Sequence, residues 1–278
     1  MDTVRRGLVV MVTGATSGLG RLVAERLACD GATVVVHGRD AGRVEDTCGA
    51  VARLGGRPVG CVADFASLGE VAATARTLVT GSLPCLDALV NNAGVGPGAP
   101  GAARELSRDG HELRLAVNYL APFLLTRALL PLLARGADPR IINVVSGSQA
   151  PIELDDLRMD RGYEGWTAYR RAKLALVSFT MDLADELGDA ARVICVHPAD
   201  LMPTRLVADT GLPPVSTLDQ GADAVLAALM TPRSASPTGV FYAGTASALP
   251  HADALDPARR QALRLSTERL LATGAPAA

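Results

Sequence analysis

Short uninterrupted apolar runs alternate along the chain with stretches whose apolar residues recur every three or four positions. Leu8–Thr13 is the first run, as expected of a strand covered on both faces. After a glycine turn, Arg21–Cys29 carries Leu22, Val23 and Leu27 on a helical period. The pattern then predicts strand Thr33–Val36, a polar-faced helix Ala41–Leu54, strand Pro58–Val62, helix Ser67–Val79 and strand Leu86–Val90. A loop rich in Gly, Pro and Ala spans Gly94–Ala102, and Glu112–Leu133 holds two helical stretches meeting near Asn118–Pro122. Strand Ile141–Val145 is followed by a long helix, Trp166–Leu187, with Leu174, Val177, Met181 and Ala184 on one side. Strand Val193–Val196, a loop with four prolines, helix Thr217–Leu229, strand Gly239–Tyr242 and an amphipathic helix Pro257–Leu271 complete the pattern; the Gly/Ala/Pro end is expected to fray.

Strands alternating with helices across short joins predict an α/β single-domain Rossmann fold, a parallel sheet of about seven strands with helices on both faces. No composition break divides residues 1–278, so one domain is expected, with substrate loops at about 149–165 and 198–216.

Composition narrows the partners. The formal charge is −2 and no basic block appears, which argues against nucleic acid. The five cysteines (Cys29, Cys48, Cys61, Cys85, Cys195) are scattered without a Cys-x-x-Cys and read as small buried hydrophobes in a reduced compartment. The first strand starts too early for a signal peptide, and apolar runs such as Leu8–Val12 fall short of a membrane span. The expected location is the cytoplasm, with no membrane partner. His37, His111, His197 and His251 are dispersed, so no metal site is expected.

Thr13-Gly14-Ala15-Thr16-Ser17-Gly18-Leu19-Gly20 lies between the first strand and the first helix. Gly14 suits a tight turn, Gly18 leaves room for a pyrophosphate, and Gly20 allows close packing of helix on sheet, with the helix N-terminus facing the phosphates. The second strand ends His37-Gly38-Arg39-Asp40. Arg39 stands where a cationic contact to a ribose 2′-phosphate could form, favouring NADP(H) over NAD(H), with His37 as a possible second donor and Asp40 as a possible helix cap. Asp64 either accepts from an adenine amino group or serves the loop. In Asn91-Asn92-Ala93-Gly94, small residues let the backbone run close to a cofactor while Asn side chains tie down the loop.

Tyr169 and Lys173 lie four residues apart, on one face of a helix. A nearby ammonium favours the phenolate, so Lys173 is expected to lower the pKa of Tyr169 and make it an acid/base. Ser146, at the end of the fifth strand, could donate to a substrate oxygen; Ser148 competes for that role. Asn118 either holds a water beside Lys173 or satisfies a local carbonyl.

Taken together, Thr13-Gly14-x-x-x-Gly18-x-Gly20, Asn91-Asn92-Ala93-Gly94, Asn118, Ser146 and Tyr169-x-x-x-Lys173 resemble the short-chain dehydrogenase/reductase family over about residues 7–245. The resemblance implies that Tyr169 is the general acid/base, that Lys173 tunes it and binds the nicotinamide ribose, that Ser146 orients the carbonyl and that Asn118 anchors a water relay. It also implies pyrophosphate contacts from Gly14, Ser17, Gly18 and Leu19, adenine contacts from Asp64 and Phe65, and a place beside the adenosine ribose for Asn91 and Gly94, with Gly20 and Ala93 among the cofactor-binding positions. Pro198 and Thr204 fall at the nicotinamide end. Asp155-Asp156-Leu157, Tyr163, Lys173-Leu174, His197-Pro198 and Glu268-Arg-Leu270 look like the retinol-dehydrogenase-like branch and its bacterial relatives. Ala199-Asp200 stands where the family commonly has glycine after the proline, a departure that bears on substrate pose.

The implied activity is NADP(H)-dependent interconversion of a medium-sized, fairly hydrophobic ketone or aldehyde with its alcohol. Pro151, Ile152, Leu154, Leu201, Leu206, Val207 and Leu212 would line an apolar pocket, with Tyr163 and Trp166 as walls, unless they pack the loops onto the sheet. An Arg- and Ala-heavy chain fits a GC-rich bacterium, where such enzymes often tailor secondary metabolites. The rivals are an epimerase or dehydratase with retained cofactor, a non-catalytic dinucleotide-sensing or scaffold protein, and a membrane-associated lipid-modifying form. The resemblance further implies a homodimer or homotetramer pairing the helices that include Asn118–Leu133 and Trp166–Leu187.

Overall fold

A computed structural model of the chain describes residues 7–232 and 237–273. Eight strands form one sheet in the order β3-β2-β1-β4-β5-β6-β7-β8: β1 Val9–Val12, β2 Thr33–Gly38, β3 Arg57–Val62, β4 Ala88–Asn91, β5 Arg140–Val144, β6 Arg192–His197, β7 Val240–Ala243 and β8 Ala246–Ala248. All pair in parallel except β8, which turns back along β7. The expected seven strands are present. The eighth, only three residues of small side chains, has too little alternation to stand out in the sequence.

The sheet is covered on both faces because its central strands are apolar on both. In β1, Val9 and Met11 join a core with α3 (Leu68–Thr80), α5 (Ala121–Leu133) and α6 (Gly165–Leu187). Val10 and Val12 point the other way, into a core with α1 (Gly18–Cys29), α2 (Ala41–Arg53) and α8 (Leu218–Met230).

Helix starts follow their caps. Asp40 accepts from Arg43 N at 2.9 Å to open α2, Ser67 caps α3, Glu164 caps α6, and Thr217 with Gln220 forms a capping box on α8. Ser17, at the N-cap of α1, leaves its side chain out of the capping role.

The stretch Leu113–Leu133 is one continuous helical run rather than two: α4 (Leu113–Leu115), a π turn (Ala116–Leu120) and α5. With 21 residues and a mean hydropathy of 1.4 it is long and apolar enough, by length and composition alone, to cross a membrane. Arg114, Asn118 and Arg127 interrupt it, and 72% of its most apolar window is buried inside the molecule, as in a core helix. The cysteines are all unpaired, but Cys29 is exposed and only Cys195 is buried, so the expectation of five buried thiols fails.

Beyond the sheet, α7 (Arg205–Ala208) and α9 (Ala252–Leu255) are short, and α10 (Pro257–Thr273) lies against α6. Thr267 bonds the Tyr119 hydroxyl at 2.7 Å, while Arg260 and Arg264 pair with Asp185 and Asp182 of α6. The helix therefore covers part of the α5–α6 face through which self-association was expected. The Gly/Ala/Pro end lies outside the described residues.

Candidate active site

Parallel pairing brings the C-terminal ends of β1, β4, β5 and β6 to one edge, and the strand order reverses between β1 and β4. A crevice opens at such a point. The glycine turn and the loop after β4 meet there. Thr13 Oγ1 accepts from Asn92 N and Ala93 N at 2.9 and 3.0 Å, and Asn92 Nδ2 donates to Thr13 O and Gly14 O at 2.9 and 3.3 Å.

That meeting is tight enough to require glycine. A Cβ on Gly14 (φ +65°) would fall 2.8 Å from Ala93 Cα, and one on Gly20 would collide with the Asn92 amide and Gly14 O. Gly18 (φ +51°) is left-handed backbone with Thr204 Cγ2 beside it. Leu19 is buried, and a Cβ on Gly221 of α8 would lie 3.2 Å from its Cδ1. The uncapped start of α1, the positive-φ glycines and the exposed Ser17 fit a dinucleotide pyrophosphate.

Past β2, Arg39 is exposed and has no hydrogen bond or ion pair among the described residues. Asp40 is the helix cap. His37 is corrected. Its Nδ1 accepts from Gly14 N at 3.1 Å, its Nε2 meets Ala63 O at 3.1 Å, and it is 3% exposed, so it has no donor left for a 2′-phosphate. Burial pushes its pKa down to about 4. The Phe65 ring is buried and stacked on His37 at 4.0 Å, which leaves its backbone for an adenine contact. Asp64 Oδ1 accepts from Ala66 N at 3.0 Å, and its Oδ2 faces Arg108 at 3.4 Å, which is the loop role. Asn91 has its side chain inside the protein, donating to Thr126 Oγ1 (2.9 Å) and Asn143 Oδ1 (2.8 Å), so only its backbone is left for a ribose.

Tyr169, Lys173 and Ser146 converge at the end of β5. Ser146 lies beside the Tyr169 side chain, and Ser146 Oγ accepts from Ser148 N at 3.1 Å. The Ser148 hydroxyl accepts from Arg170 Nε (2.8 Å). Lys173 Nζ donates to Val144 O at 2.9 Å and stands 5.8 Å from the centre of the Tyr169 ring. Gly94 closes the group: a Cβ there would lie 3.2 Å from Asn118 Oδ1 and 3.8 Å from Lys173 Nζ. Trp166 meets Tyr169 edge-on at 6.1 Å.

The expected direction of the tyrosine shift is reversed. Burial raises the Tyr169 pKa, the Ser146 contact opposes this, and Lys173, drawn to the Val144 carbonyl, does not offset it. Burial also lowers Lys173, to about 8. Asn118 spends both edges of its amide on Val95, accepting from N at 2.8 Å and donating to O at 2.9 Å, so the local role is the one its side chain plays.

At the other rim, Pro198 is buried at the end of β6, and Thr204 caps α7 through Val207 N. Asp200 pairs with His197 Nε2 at 3.2 Å. Ile152 and Leu154 pack against the main core, and Leu212 is exposed, so the apolar lining is smaller than expected. Gln149 went unrecognised in the sequence: it donates to Ser146 O (3.0 Å) and accepts from His251 N (2.9 Å), tying the site to the C-terminal segment. Asn92 and Thr13 act as clamps, a role signalled only by the Asn-Asn-Ala-Gly run.

Residues 8–212 match the short chain dehydrogenase family. The chain is 38% identical over 201 residues to dehydrogenase/reductase SDR family member 13 of Homo sapiens, covering 69% of this chain and 51% of that protein, so it spans about half of that relative's length. It is 37% identical over 207 residues to retinol dehydrogenase 14 of Mus musculus, covering 69% and 60%. It is 35% identical over 247 residues to the "Putative daunorubicin C-13 ketoreductase DnrU" of Streptomyces sp. (strain C5), covering 85% and 83%. Among solved structures, a Pseudomonas aeruginosa RhlG/NADP complex superposes with TM-score 0.69 at 27% identity (86% and 94% covered). A Brucella melitensis 3-ketoacyl-(acyl-carrier-protein) reductase complexed with NADH gives 0.68 at 28% (86% and 96%).

Proposed function

Because the chain belongs to the short-chain dehydrogenase family, we propose that it is an NADP(H)-dependent oxidoreductase that reduces a medium-sized, fairly hydrophobic ketone or aldehyde to its alcohol. The observation that carries this reading is the meeting of Ser146, Tyr169 and Lys173 beside Gly94, at the sheet edge that also holds the glycine turn. When bound, the reduced nicotinamide supplies a hydride to the carbonyl carbon.

The chain's own residues do the rest. The Ser146 hydroxyl, whose oxygen already accepts from Ser148 N, is free to donate to the carbonyl oxygen. Tyr169, kept neutral by burial, gives its proton to the same oxygen as negative charge develops there. Lys173, with a pKa near 8 and its Nζ 5.8 Å from the centre of the Tyr169 ring, is the nearby ammonium that would replace that proton.

The guanidinium of Arg39, unpaired among the described residues, with Asp40 occupied as a cap, supports a 2′-phosphate over a free 2′-hydroxyl. A ketone substrate is in keeping with the ketoreductase named among the relatives. Five unpaired cysteines are in keeping with a reducing, cytoplasmic setting. Self-association into a dimer or tetramer belongs to the proposal, but pairing across the part of the α5–α6 face under α10 would have to break the Arg260 and Arg264 ion pairs.

The test is consumption of NADPH, against NADH, by purified protein with a panel of ketones, aldehydes and quinones. Carbonyl-dependent oxidation of NADPH in step with alcohol formation is expected. A product formed with no net oxidation of nucleotide would overturn the reading.

A further inference from the structure

We propose that His37 is a positioning residue for the dinucleotide cradle: a neutral imidazole, held as the Nε2–H tautomer between Gly14 and Ala63, fixes the glycine turn without touching the cofactor. The inference rests on reading Thr13–Gly20 as that cradle.

The hydrogen bonds leave one protonation state. A backbone N–H only donates, so Nδ1, 3.1 Å from Gly14 N, must accept. The single proton of a neutral ring is then on Nε2, which faces the carbonyl oxygen of Ala63 at 3.1 Å. The other tautomer would set one N–H against another and a bare nitrogen against a carbonyl oxygen, each an unsatisfied polar contact away from water. An imidazolium would repeat the first clash. The ring is stacked on Phe65 and closed off from water.

The effect on the turn is specific. The His37 carbonyl accepts from Ala15 N at 2.8 Å, so side chain and backbone of one residue bind successive amides of the turn. On the other side Asn92 Nδ2 reaches Thr13 O and Gly14 O. Gly14 is thus held by its N–H through His37 and by its C=O through Asn92. The same imidazole ties this turn to the end of β3, because Ala63 follows that strand and its own N–H bonds Gly38 O at 3.0 Å. A conformationally free glycine turn is pinned before any ligand arrives, which lowers the ordering cost of binding.

The experiment compares wild type with His37→Asn, which can offer Gly14 an acceptor at the Nδ1 position, and His37→Leu, which cannot. Histidine ¹⁵N NMR of the nucleotide-free protein at neutral pH should show His37 as the Nε2–H tautomer; a Nδ1–H or charged ring would overturn the proposal. Hydrogen exchange at the Gly14 amide should be slow in wild type and His37→Asn and fast in His37→Leu. NADPH and NADH affinity, by nucleotide fluorescence, should fall by the same factor in His37→Leu, about tenfold or more for one lost buried bond, and recover in His37→Asn. Unchanged affinity in His37→Leu would overturn the proposal, as would a loss confined to NADPH, which would mean direct contact with the 2′-phosphate. If His37→Leu does not fold, the tautomer and the His37→Asn exchange rate still decide. Failure of wild type to bind either nucleotide would sink the cofactor reading instead, a result separable from the tautomer.

Discussion

The nucleotide end and the substrate end of the crevice are built from different materials. Around Gly14 the bonds are neutral, part-buried and made to backbone: His37, Thr13 and Asn92 hold the turn. The loops over the substrate end are held by long charged side chains with exposed partners. Arg104 reaches Arg158 O and Asp160, Arg171 pairs with Glu153, and Arg259 reaches Ile152 O. Buried neutral bonds keep their strength and geometry, whereas exposed ion pairs are screened and contribute little. The difference teaches that one end is a preformed socket for a ligand of fixed shape, and the other an adjustable rim.

The largest expected effect lies on the seam between the two ends. Tyr169→Phe removes the hydroxyl that faces Ser146 and leaves the cradle untouched. Turnover should fall by at least about a hundredfold, the usual worth of a positioned acid, with NADPH affinity unchanged by fluorescence titration. Near-wild-type turnover would place the chemistry elsewhere and dissolve the division into two ends.

Next in size is an acid sensitivity specific to the socket. The His37 pKa is about 4 when folded, against an ordinary value of 6.5. A lowered histidine pKa means that the unfolded chain binds the proton first as pH falls. The stability tied to the neutral ring is full above pH 6.5, declines between 6.5 and 4, and levels off below. The span corresponds to about 3 kcal/mol. Urea unfolding of wild type and His37→Asn across that window should show the steeper decline in wild type. Parallel declines would mean that the imidazole is not what titrates.

Smaller again is the choice of nucleotide. Arg39→Asp should weaken NADPH by about ten- to a hundredfold, the worth of one charge-assisted bond, and change NADH little. Equal losses for both would remove Arg39 from the selectivity argument while leaving the cradle intact.

Most of the frame was legible because its signals are local. Apolar runs in β1, β2, β5 and β6 and side-chain caps such as Ser67 and Thr217 sit within a few residues of what they specify. The Tyr169–Lys173 spacing on α6 is local in the same sense. What could not be read depends on partners far away in the chain. His37 looks like a donor beside Arg39 until Gly14 and Ala63, 23 and 26 residues distant, are seen to occupy both nitrogens. The direction of the tyrosine shift is set by burial, which no local spacing reports, and i, i+4 spacing does not say where the ammonium points; Val144 O takes it. Gln149 depends on His251, 102 residues away, and no pattern around position 149 announces it.

The smallest effect tests the adjustable rim directly. Arg259 lies 3.5 Å from Ile152 O and 3.0 Å from Asp253, with nearly half of its side chain exposed. An ion pair so placed contributes about 1 kcal/mol or less, so Arg259→Ala should barely move the melting temperature. Its effect should appear where Ile152 helps to hold the loop over the substrate, as a rise in the KM for the carbonyl of about fivefold at most. kcat and nucleotide affinity should stay put, because neither Tyr169 nor Gly14 is touched. A larger KM change would mean that the C-terminal segment holds the loop rigidly, and that the substrate end is as preformed as the socket. A drop in nucleotide affinity would couple the two ends and end the distinction between them.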